Sequence, residues 1–272
     1  MTGFVQRALT TVAFCWRVER RDGVCLGFTS HDRDLEIGGL VYRAAPGMLP
    51  SAVSVSDGFD ASTLDVAGAL TSDSIGEADL AAGRWDRAAV ALFLVDWEDP
   101  DGERVPLVRG ELGDVATKAN GFEAELRGPT GLLERAVVEQ TSPECRAELG
   151  DRRCRADMAG RVRMTRVTAT PAENVVVVAD ASNSPGAYAF GRLRWLGGAN
   201  SGLESAIAAS DGPSLTLQEP PPFAIAEGDR VEISEGCDKS FATCAARFAN
   251  AENFRGEPHL PGMDLLTRYP GA

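Results

Sequence analysis

The sequence predicts a mainly β protein with short helices, built as two β domains joined by a cysteine-ligated metal cluster. Two observations favour the β class: short runs rich in β-branched and aromatic residues recur along the chain, and Gly, Pro, Asn or Asp separate them. A third, the pairing of four cysteines, favours the cluster. We expect a β-rich domain at 1–140, a linker helix at 141–161, a barrel-like domain at 162–235, and a C-terminal helix and loop at 236–272.

The elements of the N-terminal half follow from its hydrophobic pattern. Two strands that flank the turn at 20–23 predict a hairpin, a second hairpin surrounds Gly38 and Gly39, and the apolar run at 88–97 is typical of a buried strand. The second hairpin covers 35–42, the other predicted strands are 11–18, 24–29, 88–97, 105–112 and 121–126, and helical patterns cover 74–82 and 129–138.

The C-terminal half repeats the β pattern before it ends in a helix. Its short runs are typical of a small sandwich or barrel. From Asp238, which we expect to cap the first turn, one face of the helix carries residues at i, i+3, i+4 and i+7. The predicted strands are 162–169, 174–179, 188–196, 214–218 and 230–234, and the helical face is Phe241, Cys244, Ala245 and Phe248.

Charge limits the classes of partner. Forty acidic and 27 basic residues give a net charge of −13, which disfavours tight binding to phosphate backbones. A protein that lets nucleic acid pass without binding it tolerates this sign. No apolar run approaches the roughly 20 residues that cross a bilayer, so we expect a chain made in the cytoplasm with no membrane span.

Four cysteines form two pairs that we predict to share one metal site. Eight residues separate Cys145 from Cys154, and six separate Cys237 from Cys244. We expect each pair to lie beside a helix start, with Ser142 and Pro143 opening the first helix, where backbone N–H groups favour a thiolate. Structural zinc pairs usually have two to four intervening residues, so the wider spacing fits a bulkier iron–sulfur cluster better, with zinc as the alternative. The spacing also differs from the usual ferredoxin runs, so spacing alone names neither metal.

A cluster that joins the two pairs would also stabilise the fold. Closing the chain across the 82 residues between Cys154 and Cys237 removes about 4 to 5 kcal/mol of chain entropy from the unfolded state, on the scale used for disulfides. We expect Arg152, Arg153, Arg155 and Lys239 to offset the negative charge of the thiolates.

The remaining cysteines and the two histidines are not assigned to the site. Cys15 and Cys25 would face each other across the first hairpin, and we expect them to be reduced. His31 lies in a polar turn, and His259 lies in a Pro-rich loop. A hydrolase that uses His31 with Cys25 is the alternative that they raise, and a turn histidine is the simpler interpretation.

The C-terminal motifs resemble a family of phage-encoded proteins found in tail and gene-transfer-agent clusters. The resemblance extends over nearly the whole chain. Its motifs are Gly236-Cys237-Asp238-Lys239, Thr243-Cys244, the segment from Asn250 to Asp264 with Asn253-Phe254-Arg255-Gly256 and Pro261-Gly262, the segment from Cys145 to Cys154, Ala81-Ala82-Gly83-Arg84-Trp85-Asp86, and Asp96-Trp97.

This resemblance implies a baseplate hub, or tail-tip protein, of a phage-like particle or gene transfer agent. It implies a non-enzymatic virion component between the distal tail protein ring and a central fibre or megatron-like tail protein. It further implies a homotrimer around a DNA channel, two tube-type β-barrel domains in each subunit, and a [4Fe–4S] cluster on Cys145, Cys154, Cys237 and Cys244.

Two alternatives stay open at this stage. A redox-active cluster would make the chain an electron carrier or redox enzyme, although no G-x-G-x-x-G fingerprint for a dinucleotide is present. The segment 250–262 either caps the cluster or docks onto a partner ring.

Overall fold

The computed structural model describes residues 5, 10–44, 49–50, 63–68, 75–118, 121–128, 138–182 and 184–260. The chain divides into two compact units, Met1–Val137 and Val138–Ala272. Each unit is mainly β. Among the described residues, no helix has the length and apolar character needed to cross a membrane.

Within its described residues, the first unit consists of a nine-stranded sheet and one short helix, α1, at Glu77–Ala81. The strands are β1 Val12–Glu19, β2 Cys25–Thr29, β3 Leu35–Ile37, β4 Leu40–Ala44, β5 Leu49–Pro50, β6 Thr63–Gly68, β7 Ala89–Asp96, β8 Val105–Lys118 and β9 Gly121–Arg127. They lie in the order β3-β4-β2-β1-β7-β8-β9-β6-β5. Of the strand pairs that the structure describes in this unit, only β2–β4 is parallel.

The central strands β1 and β7 are buried on both faces. Trp16 of β1 and Leu92 of β7 belong to one apolar cluster, whereas Cys15 and Val95 belong to another. Because successive side chains of a strand point to opposite faces, two clusters on adjacent residues require a cover on each side of the sheet. This double burial explains why the sequence from 88 to 97 is almost continuously apolar.

The second unit contains a closed six-stranded barrel. Its strands are β10 Val162–Ala172, β11 Val175–Val178, β12 Arg192–Trp195, β13 Glu204–Asp211, β14 Ser214–Leu217 and β15 Arg230–Ser234. They close in the order β10-β11-β14-β13-β12-β15, with every neighbouring pair antiparallel. Alternate side chains fill the interior, as expected for a small barrel. The fully buried ones include Val176, Val178, Leu193, Trp195, Ile207, Leu215, Leu217, Val231 and Ile233.

A helix, α2, at Phe241–Phe248, and a 3₁₀ turn at Ala251–Asn253 follow the barrel. Arg247 of α2 donates to the carbonyl oxygens of Gly236 and Ala187 and pairs with Glu235 at 2.8 Å. Arg161, which immediately precedes β10, pairs with the same carboxylate. These contacts hold α2 against the end of the barrel where the chain enters and leaves it.

Most predicted strands are confirmed, with bounds within a few residues. The sequence reading missed β5, β6 and β13. The last of these, with the sequence ESAIAASD, has Ile207 as its one β-branched residue and no aromatic residue, and it pairs because its neighbours offer unpaired edges. The helix expected at 74–82 is the shorter α1, and residues 129–137 of the other predicted helix lie outside the described residues.

The predicted linker helix at 141–161 is wrong, because the segment consists of turns. Two of its backbone amides bond to residues far along the chain. The N–H of Cys145 donates to the oxygen of Lys239 at 2.9 Å, and the N–H of Arg146 donates to the oxygen of Arg255 at 3.1 Å. Ser142 therefore caps no helix.

The helix cap predicted at Asp238 is also displaced. Ser240 is the N-cap of α2, and its hydroxyl accepts the amide of Thr243 at 3.1 Å. Asp238 instead accepts from the amide of Ser240 and the hydroxyl of Thr243, which fixes the approach to the helix. Of the predicted helical face, only Cys244 is buried.

The four cysteines all belong to the second unit. They bracket one barrel, with Cys145 and Cys154 before β10 and Cys237 and Cys244 after β15. A cluster on them would therefore close the barrel unit on itself, which replaces the expectation that it joins the two domains. The first unit is described by an open sheet order, whereas a closed barrel was expected.

Candidate metal centre

The predicted site residues occupy loops and one helix at the end of the barrel. Cys145 and Cys154 lie in the turns before β10, Cys237 lies between β15 and α2, and Cys244 lies within α2. Cys154 and Cys244 are buried, and the other two are half-buried. All four are free thiols, so each is available as a ligand.

A carboxylate holds the turn that carries Cys154. Asp151 accepts three backbone amides, from Cys154 at 2.6 Å, Arg153 at 2.8 Å and Glu148 at 3.1 Å. These hydrogen bonds lower the pKa of Asp151, because they favour the charged form. The turn is therefore set by its own sequence, with the buried thiol at its end.

Backbone hydrogen bonds join this turn to both later segments. Besides the bonds of Cys145 and Arg146, the amide of Glu257 donates to the oxygen of Ser142 at 2.8 Å. The Glu257 carboxylate accepts the Ser142 amide at 2.9 Å and forms a two-pronged ion pair with Arg146. The segment after α2 is thus fastened beside the first cysteine pair.

Asn250 contacts one cysteine from each pair. Its side-chain amide donates to the carbonyl oxygen of Cys154 at 2.6 Å and lies 3.6 Å from the sulfur of the same residue. Its backbone oxygen accepts the thiol of Cys244 at 3.3 Å. Asn250 is buried, so these bonds are shielded from water. Sequence reasoning placed Asn250 in a capping loop without identifying this role.

The thiols are close enough to influence one another electrostatically. Burial raises the pKa of Cys244, and the thiolate forms of Cys145, Cys237 and Cys154 raise it further. Burial also raises the pKa of Cys237. Like charges in one small volume disfavour ionisation, and a bound cation would reverse that preference. The structure therefore places the four predicted residues at one end of the barrel, within electrostatic range of one another.

The cysteines do not converge as tightly as the ligands of a single ion. Among the described residues, no group of three or more His, Cys, Asp and Glu side chains is placed to hold a metal ion. The donor set nevertheless suits a metal, because it consists of four thiols with N–H donors nearby. The amide of Arg255 lies 3.4 Å from the Cys145 sulfur. Ligation of Cys244 would require its thiol to release the Asn250 oxygen.

The basic residues near the cysteines are partly engaged elsewhere. Lys239 donates to the carbonyl oxygen of Ala147 at 2.6 Å and pairs with Glu148 at 3.2 Å. Arg153 pairs with Glu139 and donates to the oxygen of Arg146. Arg152 and Arg155 are exposed. The positive charge that we expected to offset the thiolates is therefore partly paired with the carboxylates of Glu148 and Glu139.

The other cysteines are separated by the register of the first hairpin. Cys15 lies opposite Thr29, and Cys25 lies opposite Glu19, so the expected face-to-face placement is wrong. The Cys15 thiol is buried and donates to Thr29, while Cys25 accepts from the Arg17 guanidinium at 3.2 Å.

The histidines lie in turns. The ring nitrogen Nδ1 of His31 accepts the amide of Arg33 at 3.1 Å, and its ring packs against Trp97 with centroids 5.3 Å apart. His259 is exposed. Neither arrangement provides a nucleophile and base in contact.

The fold and the site define a mainly β protein whose barrel is bracketed by cysteine-bearing segments. The family model described as "Baseplate hub protein, N-terminal attachment domain" matches residues 1–157, and a model described as "Phage conserved hypothetical protein BR0599" matches residues 186–264. A solved structure titled "Virion of native gene transfer agent (GTA) particle" contains a chain 38% identical, with a TM-score of 0.84, covering 98% of this chain and 94% of that one. No curated protein matches.

The first model covers more than half of the chain, and the structural relative is similar over almost its whole length. This chain therefore belongs to the baseplate hub family of phages and gene transfer agents.

Proposed function

We propose that this protein is the structural hub at the tail tip of a phage-like particle, joining the distal tail ring to a central fibre or penetration protein. Family membership makes it a tail component and supports a structural role. A homotrimer around a DNA channel is part of the proposal. The net charge of −13 is compatible with a channel that lets DNA pass, because a negative wall repels phosphates.

The second part of the proposal concerns the four cysteines. We propose that Cys145, Cys154, Cys237 and Cys244 hold a [4Fe–4S] cluster that closes the barrel unit. The observation that carries it is the linkage of the cysteine-bearing segments, in which Asn250 joins Cys154 to Cys244 and a backbone hydrogen bond joins Cys145 to Lys239. A four-iron cluster spaces its thiolates more widely than a single ion does, so it suits this looser set better than zinc.

The experiment is metal analysis of the full-length protein purified without oxygen. We expect about four irons per chain, as one four-iron cluster requires, together with a broad visible absorption band. Cys154→Ser should lose the iron and the band. Cys15→Ser provides the matched control, because that thiol is also buried but lies in the first unit.

Two results would change the proposal in different ways. Stoichiometric zinc without iron would remove the iron–sulfur assignment but keep a shared cysteine site. Full iron in the Cys154→Ser protein would remove the ligand assignment. Sedimentation of the same preparation measures the oligomer, and incorporation of a tagged chain into particles from the producing bacterium tests the place in the tail.

A further inference from the structure

The outer face of three barrel strands carries an unusual set of side chains. On β10, β15 and β12, the alternate residues Val231, Ile233, Leu193 and Trp195 point inward, so their neighbours face outward. The register places Arg166 of β10 directly opposite Arg230 of β15. Both arginines are exposed.

Two large apolar side chains lie beside these arginines. Met164 of β10 is 74% exposed, and Leu196, just after β12, is 38% exposed. With Arg166, Arg230 and Asp180 they line a shallow groove of about 410 Å³. We call these five residues the barrel groove. Exposed apolar groups that cluster around charged ones are typical of an interaction site.

The arginine pair is unfavourable as it stands. Residues directly opposite on antiparallel strands have Cβ atoms about 5 Å apart, and like charges there are destabilising. Among the described residues, neither guanidinium has an ion-pair partner. Asp180 is the acid that lines the groove, which leaves one excess positive charge there, in a chain whose net charge is −13.

We propose that the barrel groove docks an acidic surface of another protein in the particle, with an apolar side chain of that partner seated between Met164 and Leu196. Carboxylates of the partner would pair with Arg166 and Arg230 and remove their mutual repulsion. The choice of a particle protein as partner rests on the proposed place in the tail.

The composition favours a protein over nucleic acid. Met and Arg are both enriched in protein interfaces, whereas phosphate binding needs no exposed Met or Leu. A two-fold contact of this surface with itself is disfavoured, because the same arginines would meet one another. The partner surface is thus negatively charged, with an apolar centre.

The test places a photo-crosslinking amino acid at Met164 in the full-length chain and lets the producing bacterium assemble particles. We expect a crosslink within purified particles to a segment of another virion protein that has several Asp or Glu residues beside an apolar one. A crosslinker at Val41, an apolar position in β4 of the first unit that is 50% exposed, should not capture that segment.

The double variant Arg166→Glu/Arg230→Glu, made in the Met164 crosslinking chain, tests the charge. The yield of the Met164 crosslink per incorporated chain should fall at least about tenfold. The control variant Arg21→Glu/Arg109→Glu makes the same charge change in the first unit and should leave this crosslink yield unchanged. A crosslink to DNA, to a second copy of this chain, or to a basic segment would overturn the inference, as would particles that contain the chain without any crosslink. Particles that lack the chain would instead contradict the proposed function.

Discussion

The side-chain nitrogen of Asn250 lies 2.6 Å from the carbonyl oxygen of Cys154, although 96 residues separate them in the chain. Because the backbone oxygen of Asn250 also accepts the Cys244 thiol, one buried residue sets the distance between the two cysteine pairs. For the proposed cluster, this link would hold Cys154 and Cys244 near each other before the metal binds, which would lower the entropic cost of binding.

Replacing Asn250 with Ala should loosen this link. The change leaves the carbonyl oxygen of Cys154 without the amide and removes the partner of the Asn253 side chain. Loss of one partner of a buried hydrogen bond costs about 1 to 3 kcal/mol. We expect backbone amides in 142–154 to exchange faster, by the factor that corresponds to this loss of free energy. Hydrogen exchange and mass spectrometry on the metal-free protein under reducing conditions measure it.

Asn174→Ala is the matched control for this prediction. Asn174 also donates its side-chain amide to a backbone carbonyl, that of Leu217 at 3.3 Å. It lies in the turn between β10 and β11, outside the segment 142–154. We expect its loss to leave exchange in 142–154 unchanged. Equal exchange in the Asn250→Ala and wild-type proteins would mean that Asn250 does not hold the two pairs together.

The sequence was sufficient to single out four paired cysteines, whose shared metal site stays a prediction. It was not sufficient to find Asn250. A side-chain amide has no spacing signature, and its role depends on which carbonyl the folded chain brings within 3 Å. The predicted helix at 141–161 failed for the same reason, since Cys145 and Arg146 donate their amides to Lys239 and Arg255.

The fold shows the same division between local and distant information. The apolar run at 88–97 and the turn at Gly38-Gly39 carried enough local signal to place β7 and the β3–β4 hairpin. In contrast, β13 depends on its neighbours, because Ala and Ser have weak strand preference and the strand forms between β12 and β14. Barrel closure is likewise a property of pairing between distant strands.

Gly236 should not tolerate a side chain. A Cβ there would lie 2.0 Å from the oxygen of Ala189 and 2.1 Å from the nitrogen of Gly191, and both are backbone atoms that cannot rotate away. Overpacking typically costs about 1 to 3 kcal/mol, and a backbone clash lies at the upper end. We expect Gly236→Ala to destabilise the barrel by about 3 kcal/mol, measured from the exchange of the Val231 and Ile233 amides in urea.

Gly197→Ala tests whether the loss is due to the clash. At Gly197, in the same barrel, a Cβ would meet its nearest neighbour at an ordinary 3.6 Å. We expect the Val231 and Ile233 amides of the Gly197→Ala protein to exchange at nearly the wild-type rate. Since Gly236 precedes Cys237, the Gly236→Ala protein should also load less metal, and full loading with an intact barrel would contradict the clash.

Lys239 adopts a left-handed backbone, with φ of 63°, directly between Cys237 and α2. That conformation costs an L-residue roughly 1 to 2 kcal/mol, whereas Gly adopts it freely but loses about 0.5 to 1 kcal/mol of entropy on folding. Gly and Ala both remove the bond from Nζ to Ala147. We therefore expect Lys239→Gly to be more stable than Lys239→Ala by about 1 kcal/mol, measured by urea unfolding.

The order should reverse at the exposed position Ala245, where Ala245→Gly destabilises the interior of α2. Equal stability of the two Lys239 variants would show that the left-handed backbone is not maintained in solution.

The attachment of the C-terminal segment should depend on acid through Glu257. Hydrogen bonds from Arg146 and from the Ser142 amide lower the pKa of Glu257 from 4.5 to about 2. A carboxyl whose pKa is lowered by folding stabilises the fold fully above the unfolded value, and that contribution is lost as the pH falls through the folded value. The segment should thus stay attached at pH 4.5 and detach as the pH approaches 2.

Cleavage of 250–260 by pepsin, measured across this range, should rise steeply in the wild-type protein. Glu257→Gln should be cleaved readily throughout, because the neutral amide cannot form the ion pair with Arg146. Glu252→Gln, an exposed change on the same segment, should retain the wild-type profile, and a wild-type profile for Glu257→Gln would assign the acid response to another group.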